Sequence, residues 1–207
     1  MDEIVKQAMA KWPNVPHCFH WLALDARGNW RMRDERAQAL GLPGDKILRS
    51  VLADFINRNY TCDEQGRWYF QNGPQRVYVD LETTPYVART DPVHGFVLHT
   101  GEALPQADAA WLTEAGQLIL QHGGKVAQVD DRDVAACLVK LRLDGRTLDD
   151  DGLLAWLRND FRSNSGSGSG AADNRLTFLA GARKIPVRLL RQAAVPTQFG
   201  FVRRPEP

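Results

Sequence analysis

The sequence predicts an α+β fold of mostly antiparallel β-hairpins in two packed lobes with two main helices, and three observations carry that prediction. Between residues 60 and 129, alternating or β-branched runs (67–71, 76–81, 86–90, 95–99, 117–120 and 125–129) are separated by Asn-Gly, Asp-Pro, His-Gly and Gly-Gly pairs. That is the period-two pattern of strands punctuated by tight turns. Sustained helical periodicity is confined to two stretches, at about 45–58 and 149–161. In addition, one hairpin spacing recurs along the chain.

The elements follow in order. Residues 2–11 suit a short helix, with Asp2 and Glu3 in its first turn and Pro13 and Pro16 beyond its end. Residues 18–25 read as a strand that turns at 26–28 into the segment Asn29 to Met32. The first main helix opens at Pro43-Gly44-Asp45, with Asp45 as its cap, and Ile47, Leu48, Val51, Leu52, Phe55 and Ile56 form its apolar stripe. ACLVKLRL (136–143) reads as a strand ended by Asp144-Gly145. The second helix follows, with Asp149 to Asp151 at its positive end and Leu153, Leu154, Trp156, Leu157 and Phe161 inside. Residues 163–172, SNSGSGSGAA, form a flexible Gly/Ser loop, and a strand-like ending resumes after it. The expected organisation is an N-terminal arm (1–16), a first β-rich lobe with its helix (17–84) and a second (85–207), with a pocket at the junction of the lobes.

The recurring hairpin is seen by counting. From Gly66, large or apolar residues fall at Trp68 and Phe70, a glycine at Gly73, and apolar residues at Val77 and Val79. The same offsets from Asn174 give Leu176, Phe178, Gly181, Ile185 and Val187; from Gly116 they give Leu118, Leu120, Gly123 and Val129, with Val126 displaced by one. Each unit puts apolar side chains on one face of two strands joined at a glycine, and such a hairpin must pack on something else.

Composition excludes several classes. The 207 residues carry a net charge of +1, with no global basic field for nucleic acid. Cys18, Cys62 and Cys137 are odd in number and lie far apart, which favours a reducing cytoplasm over a disulfide framework. No apolar run approaches the ~18 residues of a membrane span. Phosphate loops of the GxGxxG or GxxxxGK[ST] kind are absent.

The segments PHCFHWLALDARGNW, RWYFQNGPQRVYVDLETTPYVART and VPTQFGFVRRPEP together resemble a proteobacterial family of unknown function. The chain is also distantly similar to a second uncharacterised bacterial family, with a Cys, an aspartate-rich strand, Gly-x-Trp, a helix and an ED-aromatic strand. The second resemblance implies an α+β fold with repeated motifs and a signalling or ligand-binding role. The Gly/Ser segment stands outside either pattern.

Candidate sites were weighed by residue type. His17, Cys18 and His20 in PHCFH have no partner pair at zinc-finger spacing, so they read as a strand entry and no metal is expected. Asp130, Asp131 and Asp133 do not supply a calcium-loop pattern. Arg67, Tyr69, Arg76 and Tyr78 share the sheet face opposite Trp68, Phe70, Val77 and Val79, and are the candidate site for an anionic or planar ligand. The expected function is a non-enzymatic ligand-binding or regulatory interaction module of the bacterial cytoplasm, monomeric or homodimeric. It needs no cofactor, and its partner is a small anionic ligand or another protein rather than nucleic acid or membrane. The alternative is a small hydrolase or lyase using His99 with Asp80 or Asp91.

Overall fold

Helices begin where a side chain can cap free amide groups, and strands reverse where glycine admits a left-handed backbone. Both habits set boundaries in this chain. The structure, a computed structural model, describes residues 1–147, 149–163, 175–180 and 183–207. It divides into two units: Met1–Pro85 with His99–Gly101 and Phe199–Pro207, and Tyr86–Leu98 with Glu102–Gln198.

In the first unit α1 (Glu3–Lys11) precedes β1 (Cys18–Leu24), β2 (Trp30–Met32), α2 (Glu35–Ala39), β3 (Asp45–Lys46), α3 (Ser50–Arg58), β4 (Tyr60–Cys62), β5 (Trp68–Asn72) and β6 (Gln75–Leu81). The strands make one six-stranded sheet in the order β3-β2-β1-β6-β5-β4. Only β1 and β6 pair in parallel within it. Leu22, Leu24, Trp30, Ile56, Phe70, Val79 and Leu81 are buried, each contributing about 1.5–3 kcal/mol of apolar transfer.

Two expectations change here. The first main helix starts at Ser50 rather than Asp45, because Asp45 and Lys46 pair with Met32 and Arg31 as a third strand. Gly44 permits this: its φ is +80°, and a Cβ there would lie 2.3 Å from the Met32 carbonyl oxygen. The expected stripe is also only partly inside, since Ile56 is buried while Leu48 and Val51 are 83% and 79% exposed. The short α2 is not among the expected elements; Asp34 caps it, accepting from the Ala37 N–H at 2.8 Å.

The second unit contains β7 (Tyr86–Asp91), β8 (Gly95–Leu98), β9 (Ala103–Leu104), β10 (Ala109–Leu112), β11 (Leu118–His122), β12 (Lys125–Val129), α4 (Asp131–Leu138), β13 (Leu141–Leu143), β14 (Arg146–Thr147), α5 (Asp150–Ser163), β15 (Leu176–Ala180) and β16 (Arg183–Leu189), and α6 (Val195–Phe199) follows. Its ten-stranded sheet runs β14-β13-β15-β16-β10-β11-β12-β7-β8-β9, parallel at β10–β16 and β12–β7. Leu112, Leu118, Leu120, Leu141, Leu176 and Phe178 are fully buried.

The α+β class holds, and the sheets are mostly antiparallel. Hairpins stand at the three predicted places, β5–β6, β11–β12 and β15–β16. Gly73 and Gly123 turn the first two with φ of +56° and +53°. Gly181 of the third, and all but the first residue of the 163–172 loop, lie outside the described residues. The predicted strand 136–143 is corrected: its first half belongs to α4. Asp130 caps that helix and Asp131 and Asp133 fill its positive first turn, so the local electrostatics favour a helix where a short apolar run alone fits either state.

Candidate functional site

Three neighbouring strands of the first sheet build the site. Ala23 on β1 stands opposite Arg31 on β2 and Asp80 on β6. A methyl between two long polar side chains leaves space above the sheet, and a cleft of about 480 Å³ occupies it. Arg31, Arg33, Arg203 and Arg204 line it with Asp25, Asp80 and Glu82, and Leu42 and Pro43 add apolar surface.

The turn after β1 fixes one wall. Asp25 Oδ1 accepts from the Arg27 and Asn29 amides at 3.0 and 2.8 Å, and Oδ2 accepts from Arg31 Nε at 2.8 Å. Burial raises the Asp25 pKa, but the Asn29 hydrogen bonds and the Arg31 guanidinium outweigh it and hold the carboxyl below its ordinary value. Arg33 is 6% exposed; its Nη1 lies 2.5 Å from Asp80 Oδ2 and its Nε donates to the Leu42 carbonyl at 3.2 Å.

Residues 199–207 form the other wall. The Val202 N–H donates to the Gly66 carbonyl at 2.9 Å and the Leu81 N–H to the Arg203 carbonyl at 2.7 Å. Gly66 must be glycine for this: its φ is +73°, and a Cβ would lie 2.1 Å from the Gly200 carbonyl oxygen. Arg203 Nη2 donates to the Glu82 carbonyl. Arg204, with a side chain 61% exposed, brings Nε to 3.7 Å from Asp80 Oδ2.

A smaller cavity of about 180 Å³ adjoins, sharing Arg33 and Arg204 and lined also by His20, Gln38 and Glu206. His20 has a φ of +66° at the point where the β1–β6 register shifts between Cys18 and Leu22. Left-handed backbone at a non-glycine residue costs about 1–3 kcal/mol and recurs at functional sites. Here it aims the imidazole so that Nδ1 meets Asp80 Oδ1 at 3.1 Å and Nε2 meets Glu206 Oε2 at 3.2 Å.

Arg67, Tyr69, Arg76 and Tyr78 are brought together in a different setting. Tyr78 is fully buried and Tyr69 nearly so. The expectation of one core face and one open face on this hairpin is therefore corrected: Phe19 stacks on Tyr78 at 4.6 Å and His17 meets its edge at 5.7 Å, covering the second face. The Arg67 guanidinium lies 4.8 Å from the Tyr78 ring centre, and Arg76 lies 4.7 Å from that of Tyr69. Asp63 Oδ2 accepts from Arg67 Nε at 2.8 Å and from the Tyr78 hydroxyl at 3.1 Å. Although burial raises the Asp63 carboxyl, the Arg67 and Tyr78 bonds hold it below its ordinary value.

The remaining candidates have structural settings. His99 packs edge-on to Trp30 at 5.4 Å and Tyr60 at 5.9 Å. Asp80 faces His20, Arg33 and Arg204, and Asp91 accepts from the Val93 and His94 amides in the β7–β8 turn. Asp133 accepts from the Thr90 N–H at 2.8 Å, and Asp149 from the Gly152 N–H at 2.8 Å. Among the described residues no group of three or more His, Cys, Asp or Glu could hold a metal ion, and no helix is long and apolar enough to cross a membrane.

Sequence reasoning missed His20, Arg33, Arg203 and Arg204 as site residues. A readable signal existed only for the pair Arg203-Arg204, adjacent cations followed by proline; the bulge that aims His20 has no local signature. A mixed α+β protein, mostly β, with a charged cleft in its first unit is the class these observations define. The chain belongs to the family DUF2944, described as "Protein of unknown function (DUF2946)", whose model matches residues 1–206. It is similar in structure to a DUF1285 family protein from Silicibacter pomeroyi DSS-3, at 15% identity and a TM-score of 0.44, over 72% of this chain and 87% of that one. No curated protein matches the chain.

Proposed function

We propose that the protein is a ligand-binding module that takes a small anionic molecule into the cleft beside Ala23. The observation that carries this reading is the arginine wall. Arg31 and Arg33 are neutralised by Asp25 and Asp80, whereas Arg203 donates to a carbonyl and Arg204 shares an Asp80 already bonded to Arg33. Guanidinium groups left with spare donors in a concave site are suited to carboxylate or phosphate. Cytoplasmic residence suits the three free cysteines.

Calorimetric titration with hexanoate and with inorganic phosphate tests it. Arg203→Ala/Arg204→Ala weakens binding of the anion at least tenfold, while Arg76→Ala, at the aromatic cluster, leaves it unchanged. Failure of both anions to bind the unaltered protein, or loss of binding through Arg76 instead, overturns the reading.

A second reading, acid–base chemistry in a small hydrolase or lyase, has one observation in its favour. His20 Nδ1 is oriented by Asp80 while Nε2 points into the smaller cavity, the arrangement that positions an imidazole as a general base. Turnover of ester or phosphoester substrates that disappears in His20→Asn would support it.

A further inference from the structure

We infer that the smaller cavity is a carboxylate site, at whose His20 the protein's own Glu206 now sits, and that the ligand is a monocarboxylate with an apolar body that displaces this side chain. The inference rests on the anion reading of the adjoining cleft and names the ligand class that reading leaves open.

The resident group identifies the chemistry. Glu206 Oε2 sits 3.2 Å from His20 Nε2, although the two residues are 186 apart in sequence. Its carboxylate stands in a cavity with Arg33, Arg204 and Gln38, all donors to an oxygen acceptor. A carboxylate faces each nitrogen of His20, so both hydrogen bonds form only when both nitrogens carry a proton.

Glu206 is built to leave. Its side chain is 67% exposed, while its backbone is held independently: Arg67 Nη1 reaches the Glu206 carbonyl at 3.4 Å, and Pro205 before it is buried. Rotation of one side chain therefore frees His20 Nε2 without unseating residues 199–207. His20 and Asp80 are three-quarters or more buried and remain in place.

Charge and shape choose among anions. Exchange of Glu206 for another monoanion leaves the cavity's charge unchanged, whereas a phosphate dianion adds a negative charge beside the Asp80 carboxylate. The smaller cavity shares Arg33 and Arg204 with the larger, so a ligand whose carboxylate faces His20 extends past those arginines over Leu42 and Pro43. An acyl chain suits that surface.

The test uses hexanoate and inorganic phosphate on the full chain and on Glu206→Gln, Glu206→Ala and His20→Asn. Asparagine is chosen because it tolerates the left-handed backbone at position 20. Hexanoate is expected to bind Glu206→Ala and Glu206→Gln at least tenfold more tightly than the unaltered protein, and to shift the His20 imidazole resonances in an NMR titration. His20→Asn, with an unchanged melting temperature, is expected to lose the preference for hexanoate over phosphate. Unchanged affinity in both Glu206 variants, with binding still abolished by Arg203→Ala/Arg204→Ala, overturns this inference and leaves the cleft reading intact. Tighter binding of phosphate than hexanoate to Glu206→Ala also overturns it. Absence of any anion binding removes both readings together.

Discussion

The two units contain the same six-strand arrangement, and the row that borders the cleft in the first is filled differently in the second. In the first the order is β3-β2-β1-β6-β5-β4; in the second, six consecutive strands run β12-β11-β10-β16-β15-β13. Each is two three-stranded antiparallel groups joined by a parallel pair, β1–β6 in one and β10–β16 in the other. Matching bonds close the two copies: Glu82 N–H to the Leu24 carbonyl at 3.0 Å, and Leu190 N–H to the Leu112 carbonyl at 3.1 Å. The turns match as well, Gly28 bonding back to Asp25 and Gly116 to Thr113. At the row of the cleft the copies diverge. Where the first has Arg31, Ala23 and Asp80 in register, the second has Ile119, Trp111 and Arg188. Trp111 is buried, with the Arg188 guanidinium 6.0 Å from its ring centre. The frame is thus shared, and the central strand of that row carries a small residue, Ala23, in one copy and a buried Trp111 in the other.

Exchanging that residue separates the copies most sharply. Trp111→Ala is expected to destabilise the protein by about 4 kcal/mol in denaturant unfolding. Ala23→Trp, at the corresponding position, costs about 1 kcal/mol and removes anion binding in the titration. Equal stability losses would mean that the rows are not equivalent.

Two turn glycines, one in each unit, give the next largest contrast. Gly66→Ala is expected to cost about 3 kcal/mol, from a left-handed φ and the clash with Gly200. It also exposes the bond after Arg203 to trypsin. Gly116→Ala shares the left-handed φ but meets nothing within 4 Å, and costs about 1 kcal/mol. Resistance of Gly66→Ala to trypsin would show that the 199–207 segment does not depend on that turn.

Asp80→Asn leaves the buried Arg33 without its counter-charge and is expected to cost about 2 kcal/mol. Arg188→Ala, exposed in the second copy, changes stability by less than about 0.5 kcal/mol. Chemical denaturation of the two variants under one condition measures the difference.

The smallest effect is on pH. Hydrogen bonds from Arg132 hold the Asp130 carboxyl well below its ordinary value, and Asp25 and Asp63 are also depressed, each against the opposing effect of burial. Groups with depressed folded values contribute stability above the unfolded carboxylate value of about 3.9 and lose it as pH falls through the folded ones. Melting temperature is therefore expected to hold between about pH 5 and 7 and to decline below about pH 4. A decline that is unchanged in Asp25→Asn/Asp63→Asn would assign the effect to the second unit.

The hairpins were legible because their signals are local: period-two apolar residues and a glycine where the chain reverses. The α4 helix was not, because Asp130 to Asp133 were weighed as metal ligands and not as a helix start. Parallel pairing of β1 with β6 joins segments more than fifty residues apart, and no spacing within either encodes it. The site is less legible still. Its residues come from β1, β2, β6 and 199–207, so Arg67, Tyr69, Arg76 and Tyr78, all on one hairpin, were the combination that a sequence reader could see.

The seating of residues 199–207 on β6 also sets the order in which the molecule can be completed. Arg203 bonds to Glu82 across 121 residues, and the whole second unit lies between them in the chain. During synthesis the first sheet lacks one wall of its cleft until the second unit has been made. Contacts of such long range are the slow ones in folding. The cleft is therefore walled on both sides only after the second unit has been made, since the earlier strands lack the arginines at 203 and 204.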